Sequence, residues 1–286
     1  MENSKTSQQM GPEDKLDFKK ILPVFVIVLI DLMGLTIIIP LLPLYAASFG
    51  ANAFVIGALG AAYPIMQFVG APLLGRLSDR FGRRPVLIVS QIGTLLGFIV
   101  LGLANTLWLL FISRIIDGIS GANIATAQAV IADNTTEKTR TQGLGLIGAA
   151  FGLGFIVGPI IAFVTLAFSD NNYNLVAYVA AAFSLFSILL TYFWLEESHP
   201  PEKRGQGDQK ASLGFKAMFE ALRKPEIGFL LVLMFAQQFA FGGFEQLLAL
   251  FTLNRLGMNA SSNAGLFVYV GVIVVMVQGY FVGKWS

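Results

Sequence analysis

Four ionisable side chains lie inside long apolar stretches of this 286-residue sequence: Asp31, Arg114, Asp117 and Glu245. A charged residue at the centre of a bilayer costs about 2.5–3.5 kcal/mol on insertion scales, so each is expected to face a cavity or a partner. Arg114 and Asp117 share one helix face by their spacing and can therefore pair. That pair either takes part in proton chemistry or is a structural ion pair that orients its helix.

Asp31 is the group best placed to carry a proton. It lies about ten residues into its apolar stretch, near the expected midplane of a span. Burial and a neighbouring arginine act in opposite directions on the proton affinity of a carboxyl group. Asp31, with Arg114 as its partner, is therefore predicted to exchange a proton for a cationic or polar substrate. Glu245 matches no motif and is a weaker candidate.

The composition predicts what positions these side chains. Hydrophobic residues make up 55% of the chain and charged residues 13%, whereas a soluble domain carries about 25% charged residues. The apolar residues form stretches of roughly the 20 residues that one membrane-spanning helix needs. The sequence thus predicts an all-α polytopic membrane protein. Eight spans are predicted, at residues 21–45, 54–75, 86–104, 107–132, 142–168, 175–195, 227–253 and 263–283.

Lysine and arginine are concentrated on alternate connections between these spans. Seventeen of the 19 fall on one side of the predicted topology, and the other two are Arg114, inside a span, and Arg255. Connections on the cytoplasmic side of a membrane carry the excess of positive charge. A cell-membrane protein with a cytoplasmic amino terminus is therefore predicted.

The chain divides into four parts on this pattern. Residues 1–20 form a tail, 21–195 a six-helix half, 196–226 a linker and 227–286 an incomplete second half with two helices. The linker is either disordered or contains an interfacial helix, with Phe215, Met218, Phe219 and Leu222 at helical spacing. At an offset of 208 residues Gly75–Ser78 aligns with Gly283–Ser286, which is typical of a two-half transporter.

The sharpest motif is the connection between the second and third spans. Its two glycines predict a tight turn and a close helix approach. Asp79, Arg83 and Asp133 are predicted to form a network that latches the helix ends, although the arginines alone are also explained as positive-inside anchors. The candidate residues of this network are Gly75, Asp79, Arg80, Gly82, Arg83, Arg84 and Asp133.

This connection resembles the loop signature of the major facilitator superfamily. Three further stretches resemble motifs of the same superfamily in the expected order: Asp31–Gly34 followed by Pro40, Arg114–Gly118, and the fifth-span glycines with a proline, Gly148, Gly152, Gly154, Gly158 and Pro159. The nearest resemblance is to the tetracycline-exporter-like branch of twelve-helix drug–proton antiporters. The fifth-span motif is associated with antiport in that family, while the residues themselves predict only close helix packing.

The resemblance implies a proton-driven exporter of amphiphilic compounds, monomeric and without a cofactor, of which this chain is carboxy-terminally truncated. Tetracycline exporters carry an acidic residue near the position of Gly97, so tetracycline itself is a doubtful substrate. The weaker candidates for a substrate cavity are Tyr63, Gln67, Gln128, Gln237, Gln238 and Glu245.

Two other readings remain open at this stage. One is an uptake symporter of the same superfamily, and the other is a membrane remnant that does not transport, because four of twelve helices are missing. An enzyme is disfavoured, since the sequence shows no catalytic nucleophile, metal cluster or phosphate-binding loop and contains no cysteine. No metal, nucleic acid or cofactor is expected; the expected partners are the lipid bilayer, protons and a small amphiphilic substrate.

Overall fold

The computed structural model describes residues 16–121, 123–203, 220 and 222–276. These residues form ten α-helices and one short 3-10 helix, Pro201–Lys203. The helices are α1 Phe18–Ile38, α2 Leu42–Ser48, α3 Ala53–Phe81, α4 Arg83–Gly102, α5 Leu107–Ser120, α6 Asn123–Asp133, α7 Glu137–Phe168, α8 Tyr173–Trp194, α9 Pro225–Leu256 and α10 Ala260–Met276.

Seven helical segments within the described residues are long and apolar enough to cross a membrane. Each corresponds to one of the first seven predicted spans, so the all-α membrane fold is confirmed. The described part of the eighth predicted span is α10, and its remainder, with the repeat at Gly283–Ser286, lies outside the described residues. The predicted linker helix also has three residues outside the described part of the chain: Phe215, Met218 and Phe219.

Two of the spans are interrupted. The first is divided into α1 and α2 at Ile39–Leu41, because Pro40 has no backbone N–H for a continuing helix. The fourth is divided into α5 and α6, with α5 ending at Ser120 and α6 beginning at Asn123. The fifth span starts at Glu137 rather than at the predicted residue 142, because Thr136 and Thr139 form a capping box.

The helices α1 to α8 pack into one bundle. In it α1 lies between α7 and α8, α4 lies between α5 and α8, and α3 packs against α5. Helix α10 lies along α7, while α9 contacts α2 and α3. The outer surface carries large apolar side chains, for example Phe235 and Phe239 on α9, which are 70% and 76% exposed. Such a surface is suited to lipid.

The fifth-span glycines divide into two kinds. Gly154 and Gly158 are buried against α1, where a Cβ at Gly154 would lie 3.1 Å from Leu32 Cβ and one at Gly158 would lie 2.8 Å from Thr36 Cβ. Thr36 fastens this contact, since its Oγ1 donates to the Gly154 carbonyl at 2.7 Å. By contrast, no described atom lies within 4 Å of a Cβ at Gly148 or Gly152. The prediction of close packing is thus confirmed for Gly154 and Gly158, and it is wrong for Gly148 and Gly152 within the described residues.

Gly158→Ala is expected to destabilise the bundle, because the new methyl group would collide with Thr36 and the Ile37 backbone. Overpacking of this kind costs about 1–3 kcal/mol. The thermal unfolding midpoint in detergent should therefore fall. Gly148→Ala is the matched control on the same helix and should unfold no earlier than the wild type, since alanine favours helix. Equal midpoints for the two variants would contradict the described contact between α1 and α7.

Candidate functional site

Asp31 lies in the middle of α1 and is held by two amide side chains from other helices. Its Oδ2 accepts from Gln91 Nε2 on α4 at 3.2 Å and from Asn123 Nδ2 on α6 at 3.0 Å. Gln91 Nε2 also donates to Ser187 Oγ on α8 at 2.8 Å. Both bonds to the carboxylate end on the same oxygen. Asp31 Oδ1 is buried and accepts no hydrogen bond from the described residues.

Arg114 and Asp117 form the ion pair that their spacing predicts. Arg114 Nη1 lies 3.1 Å from Asp117 Oδ2, and both side chains are only 2% exposed. The guanidinium also lies over the Phe98 ring, with Cζ 5.7 Å from the ring centroid. Within the described part of the chain Arg114 Nη2 has no hydrogen-bond acceptor. The pair is thus buried away from solvent, and not all of its hydrogen-bonding groups have partners.

A small cavity joins the two acidic groups. It has a volume of about 30 Å³ and is lined by Asp31, Asp117, Thr94, Tyr63 and Asn123, among others. The structure therefore brings Asp31 of the first span and Asp117 of the fourth to one internal space. With one guanidinium beside two carboxylates, the cluster carries a net negative charge when all three groups are ionised.

A second, larger cavity of about 660 Å³ lies between α1, α3 and α9. Its walls are mainly apolar, and Tyr63, Arg114 and Gln238 supply polar groups. Arg114 thus borders this cavity while its partner Asp117 borders the small one. A space of this size is within the range of small-molecule sites, about 300–1,000 Å³.

The other cavity candidates lie elsewhere. Gln67 and Gln128 line a separate groove of about 390 Å³, and Gln67 is bound within it, since its Nε2 donates to the Gly121 carbonyl at 2.7 Å. Gln237 is exposed on α9 and is not among the residues that line the larger cavity. The side chain of Glu245 is outside the described residues. Of the six candidates, Tyr63 and Gln238 line the larger cavity, Gln67 and Gln128 line the groove, and Gln237 lines neither.

Gly97 lies where α4 crosses α5, directly opposite Asp117. A Cβ at this position would lie 2.9 Å from Asp117 Cβ and 3.1 Å from the Ser113 carbonyl oxygen. A larger side chain would therefore push the two helices apart. In this chain the carboxylate at that crossing is carried by α5 and not by α4.

The network predicted at the helix ends is present. Arg83 Nη1 lies 2.6 Å from Asp79 Oδ1, and Arg83 Nε lies 3.1 Å from Asp133 Oδ2. Arg83 Nη1 also donates to Ser78 Oγ at 2.7 Å. A single buried guanidinium thus joins the end of α3, the start of α4 and the end of α6.

Glu197 extends this network and was not among the sequence candidates. Its carboxylate accepts from the backbone N–H groups of Arg83 at 2.9 Å and Arg84 at 3.2 Å. An acidic group here is favourable, because it satisfies free N–H groups at a helix amino terminus. Ser198 Oγ donates to Asp133 Oδ2 at 3.2 Å. The segment after α8 is therefore fastened to both α4 and α6.

The remaining loop residues have separate roles. Arg84 Nη2 donates to the Tyr192 carbonyl, and its guanidinium lies over the Tyr192 ring. The Arg80 guanidinium lies over the neighbouring Phe81 ring. Gly82 makes the turn between α3 and α4 with φ 103° and ψ 156°. Gly75 is inside α3, and no described atom lies within 4 Å of a Cβ there.

Gly82→Ala should destabilise the loop, because its backbone conformation is open almost only to glycine and costs other residues about 1–3 kcal/mol. Gly75→Ala is the matched control and should be neutral or slightly stabilising, since Gly75 is inside a helix. Thermal unfolding of both variants measures the difference. A Gly82→Ala protein that unfolds with the wild type would show that the turn is not as described.

Comparison with known proteins places these features in a family. The model of the Major Facilitator Superfamily matches residues 24–286. The class B tetracycline resistance protein of Escherichia coli is 35% identical over 91% of this chain and 66% of its own length. The class D protein of Salmonella ordonez is 34% identical over 90% of this chain and 65% of its own length. The chain thus spans about two thirds of the length of these curated relatives.

Solved structures agree with the observed fold. The human organic anion transporter MFSD10 superposes with a TM-score of 0.70 at 26% identity, covering 95% of this chain and 72% of that one. A bacterial homologue of the human lysosomal transporter Spinster superposes with a TM-score of 0.71 at 18% identity, covering 97% of this chain and 64% of that one. Members of this family are carriers rather than enzymes. The chain is a multi-pass membrane protein that belongs to the major facilitator superfamily.

Proposed function

We propose that this protein exports drugs or other amphiphilic small molecules across the cell membrane in exchange for protons. Asp31 carries the proton, the Arg114–Asp117 pair responds to its charge, and alternating access moves the substrate. The proton gradient supplies the energy, and no bound cofactor takes part. The amino terminus and the Arg83 network lie on the cytoplasmic side, as the distribution of Lys and Arg favours.

The burial and incomplete hydrogen bonding of Asp31 are the observation that carries this proposal. Its carboxylate is inside the bundle, one oxygen is unsatisfied, and a second buried carboxylate borders the same cavity. A buried net negative charge is costly and is relieved by binding a proton. Release of that proton becomes favourable when a cation or a conformational change alters the surroundings.

The substrate class follows from the larger cavity and from the names of the relatives. Its walls present apolar and aromatic side chains with few polar groups, which favours an amphiphile over a sugar or an inorganic ion. Several relatives are named tetracycline resistance proteins, and the structural relative MFSD10 is an organic anion transporter. Tyr63, Arg114 and Gln238 are the polar groups that this cavity offers to such a substrate.

Inside-out vesicles that contain the complete protein test the proposal. With an acidic lumen, a fluorescent lipophilic cation or tetracycline should accumulate inside, and its addition should discharge the pH gradient reported by a lumenal dye. An ionophore that collapses the gradient should abolish accumulation. Movement of substrate and protons in the same direction would instead establish a symporter, and substrate movement without proton flux would refute the coupling.

A further inference from the structure

We infer that the small cavity between Asp31 and Asp117 is a binding site for a monovalent metal cation, with Na⁺ the ion it fits best. The inference builds on the proposed function only in that the same site would bind a proton. It adds a second ion that competes with the proton for the site.

The first argument is the set of atoms that border the cavity. Asp31, Thr94 and Asn123 each have a side-chain oxygen that accepts no hydrogen bond from the described residues, namely Oδ1, Oγ1 and Oδ1. The fourth oxygen, Asp117 Oδ2, lies 3.1 Å from Arg114 Nη1 and would be shared between the guanidinium and the cation. The side chains of Thr94 and Asn123 are only 7% exposed. All four atoms are oxygens, and hard cations prefer carboxylate, hydroxyl and carbonyl oxygen ligands.

The orientation of Asn123 strengthens this argument. Its Nδ2 donates to Asp31 Oδ2 at 3.0 Å, so its Oδ1 is the atom left without a partner. Gln91 donates to the same Asp31 oxygen and leaves Oδ1 of the carboxylate free. Amide donors thus occupy one side of Asp31, and unsatisfied acceptors remain beside the cavity.

The second argument is charge. Asp31 and Asp117 together with Arg114 carry a net charge of −1 when ionised, and the Arg114 guanidinium is already paired with Asp117 at 3.1 Å. A single positive charge neutralises the cluster, whereas a divalent ion would leave an excess. Tyr63, the remaining titratable group at the cavity, is neutral at physiological pH.

The third argument is the size of the cavity and the helix break beside it. A volume of about 30 Å³ is close to that of one water molecule, so an ion must shed its hydration shell and take protein oxygens instead. The smaller Na⁺ makes shorter contacts than K⁺ and is therefore attracted more strongly to the two carboxylates, which offsets its larger dehydration cost. The site also lies at the break between α5 and α6, and Gly121 from that break lines it. Coupling-ion sites of transporters are typically built at such interrupted helices.

The test uses the complete purified protein in detergent and measures the thermal unfolding midpoint at constant ionic strength. Raising Na⁺ from zero to 150 mM, replacing choline, should raise the midpoint by several degrees, as binding to the native state requires. K⁺ should act more weakly. The protection should diminish at low pH, because protons occupy Asp31 and Asp117 and compete with the cation.

Two matched variants locate the effect. Thr94→Val removes one ligand oxygen and should weaken apparent Na⁺ affinity at least about tenfold, as loss of a metal-site partner does. Thr126→Val is the control, since Thr126 is 1% exposed and its Oγ1 is also unpaired within the described residues, but it does not line the cavity. It should retain wild-type Na⁺ protection. Equal effects of Na⁺ and choline on the wild type, or unchanged protection in Thr94→Val, would overturn the inference.

Proton-driven export measured in sodium-free choline buffer separates this inference from the proposed function. Export that persists without sodium, together with an absence of Na⁺ protection, would refute the sodium site alone. Na⁺ protection without any substrate-dependent proton flux would refute proton-coupled export and leave the cation site standing.

Discussion

Asp31→Asn should abolish uphill export while leaving the protein folded. Asparagine keeps the shape and can still accept from Gln91 and Asn123, which hold Asp31 at 3.2 and 3.0 Å, but it cannot bind or release a proton. For an electroneutral one-proton exchange, a pH gradient of one unit is worth about 1.4 kcal/mol and sustains about a tenfold substrate gradient. The variant should bring this ratio to one.

Accumulation in acid-lumen vesicles measures that ratio, and downhill exchange of labelled substrate provides the second readout. The variant should retain exchange, because the substrate cavity and the helix contacts are unchanged. Asp170→Asn is the matched control, since Asp170 is exposed in the turn between α7 and α8. It should accumulate substrate like the wild type. A tenfold gradient maintained by Asp31→Asn would remove Asp31 from the coupling mechanism.

Arg114→Met should be the most destabilising single change in the bundle. It leaves Asp117, which is 2% exposed, without its cation beside a second carboxylate. Breaking a buried ion pair by removing one partner costs about 3–5 kcal/mol. The thermal midpoint and the yield of monodisperse protein in detergent should both fall sharply.

The double variant Arg114→Met, Asp117→Leu should recover most of that stability. Replacing a whole buried pair by apolar groups is often neutral, and Asp31 then carries the same net charge that the cluster had before. Coupled export should stay absent, because the Arg114–Asp117 pair that is proposed to respond to the charge of Asp31 is gone. Arg255→Met, at an exposed arginine, should change stability by no more than about 0.5 kcal/mol. A stable Arg114→Met single variant would contradict the described pair.

The membrane fold could be predicted from the sequence because its signal is local. Long apolar stretches and the alternation of Lys and Arg define spans without any tertiary information. The Arg114–Asp117 and Asp79–Arg83 pairs were also accessible, since residues three or four apart share a helix face. The helix breaks at Pro40 and Gly121 are the local features that hydrophobicity alone did not reveal.

The contacts of the site depend instead on how helices cross. Gln91 and Asn123 reach Asp31 across 60 and 92 residues of sequence, and Glu197 reaches Arg83 across 114. No periodicity connects such positions. A polar amide in an apolar span was the available signal for Gln91. For Gly154 and Gly158, the sequence pattern was right, but it could not separate them from Gly148 and Gly152, which face away from α1.

Glu197 has a mechanical consequence. The chain leaves the bundle just after Leu195, which is 4% exposed, and two residues later it is bound to the start of α4. Through Ser198 and Asp133 it is also tied to α6. A pulling force on the chain after Ser198 is thus shared by α4, α6 and α8 instead of acting on α8 alone. Movement of the chain beyond Ser198 is therefore expected to displace α4 and α6 together with α8.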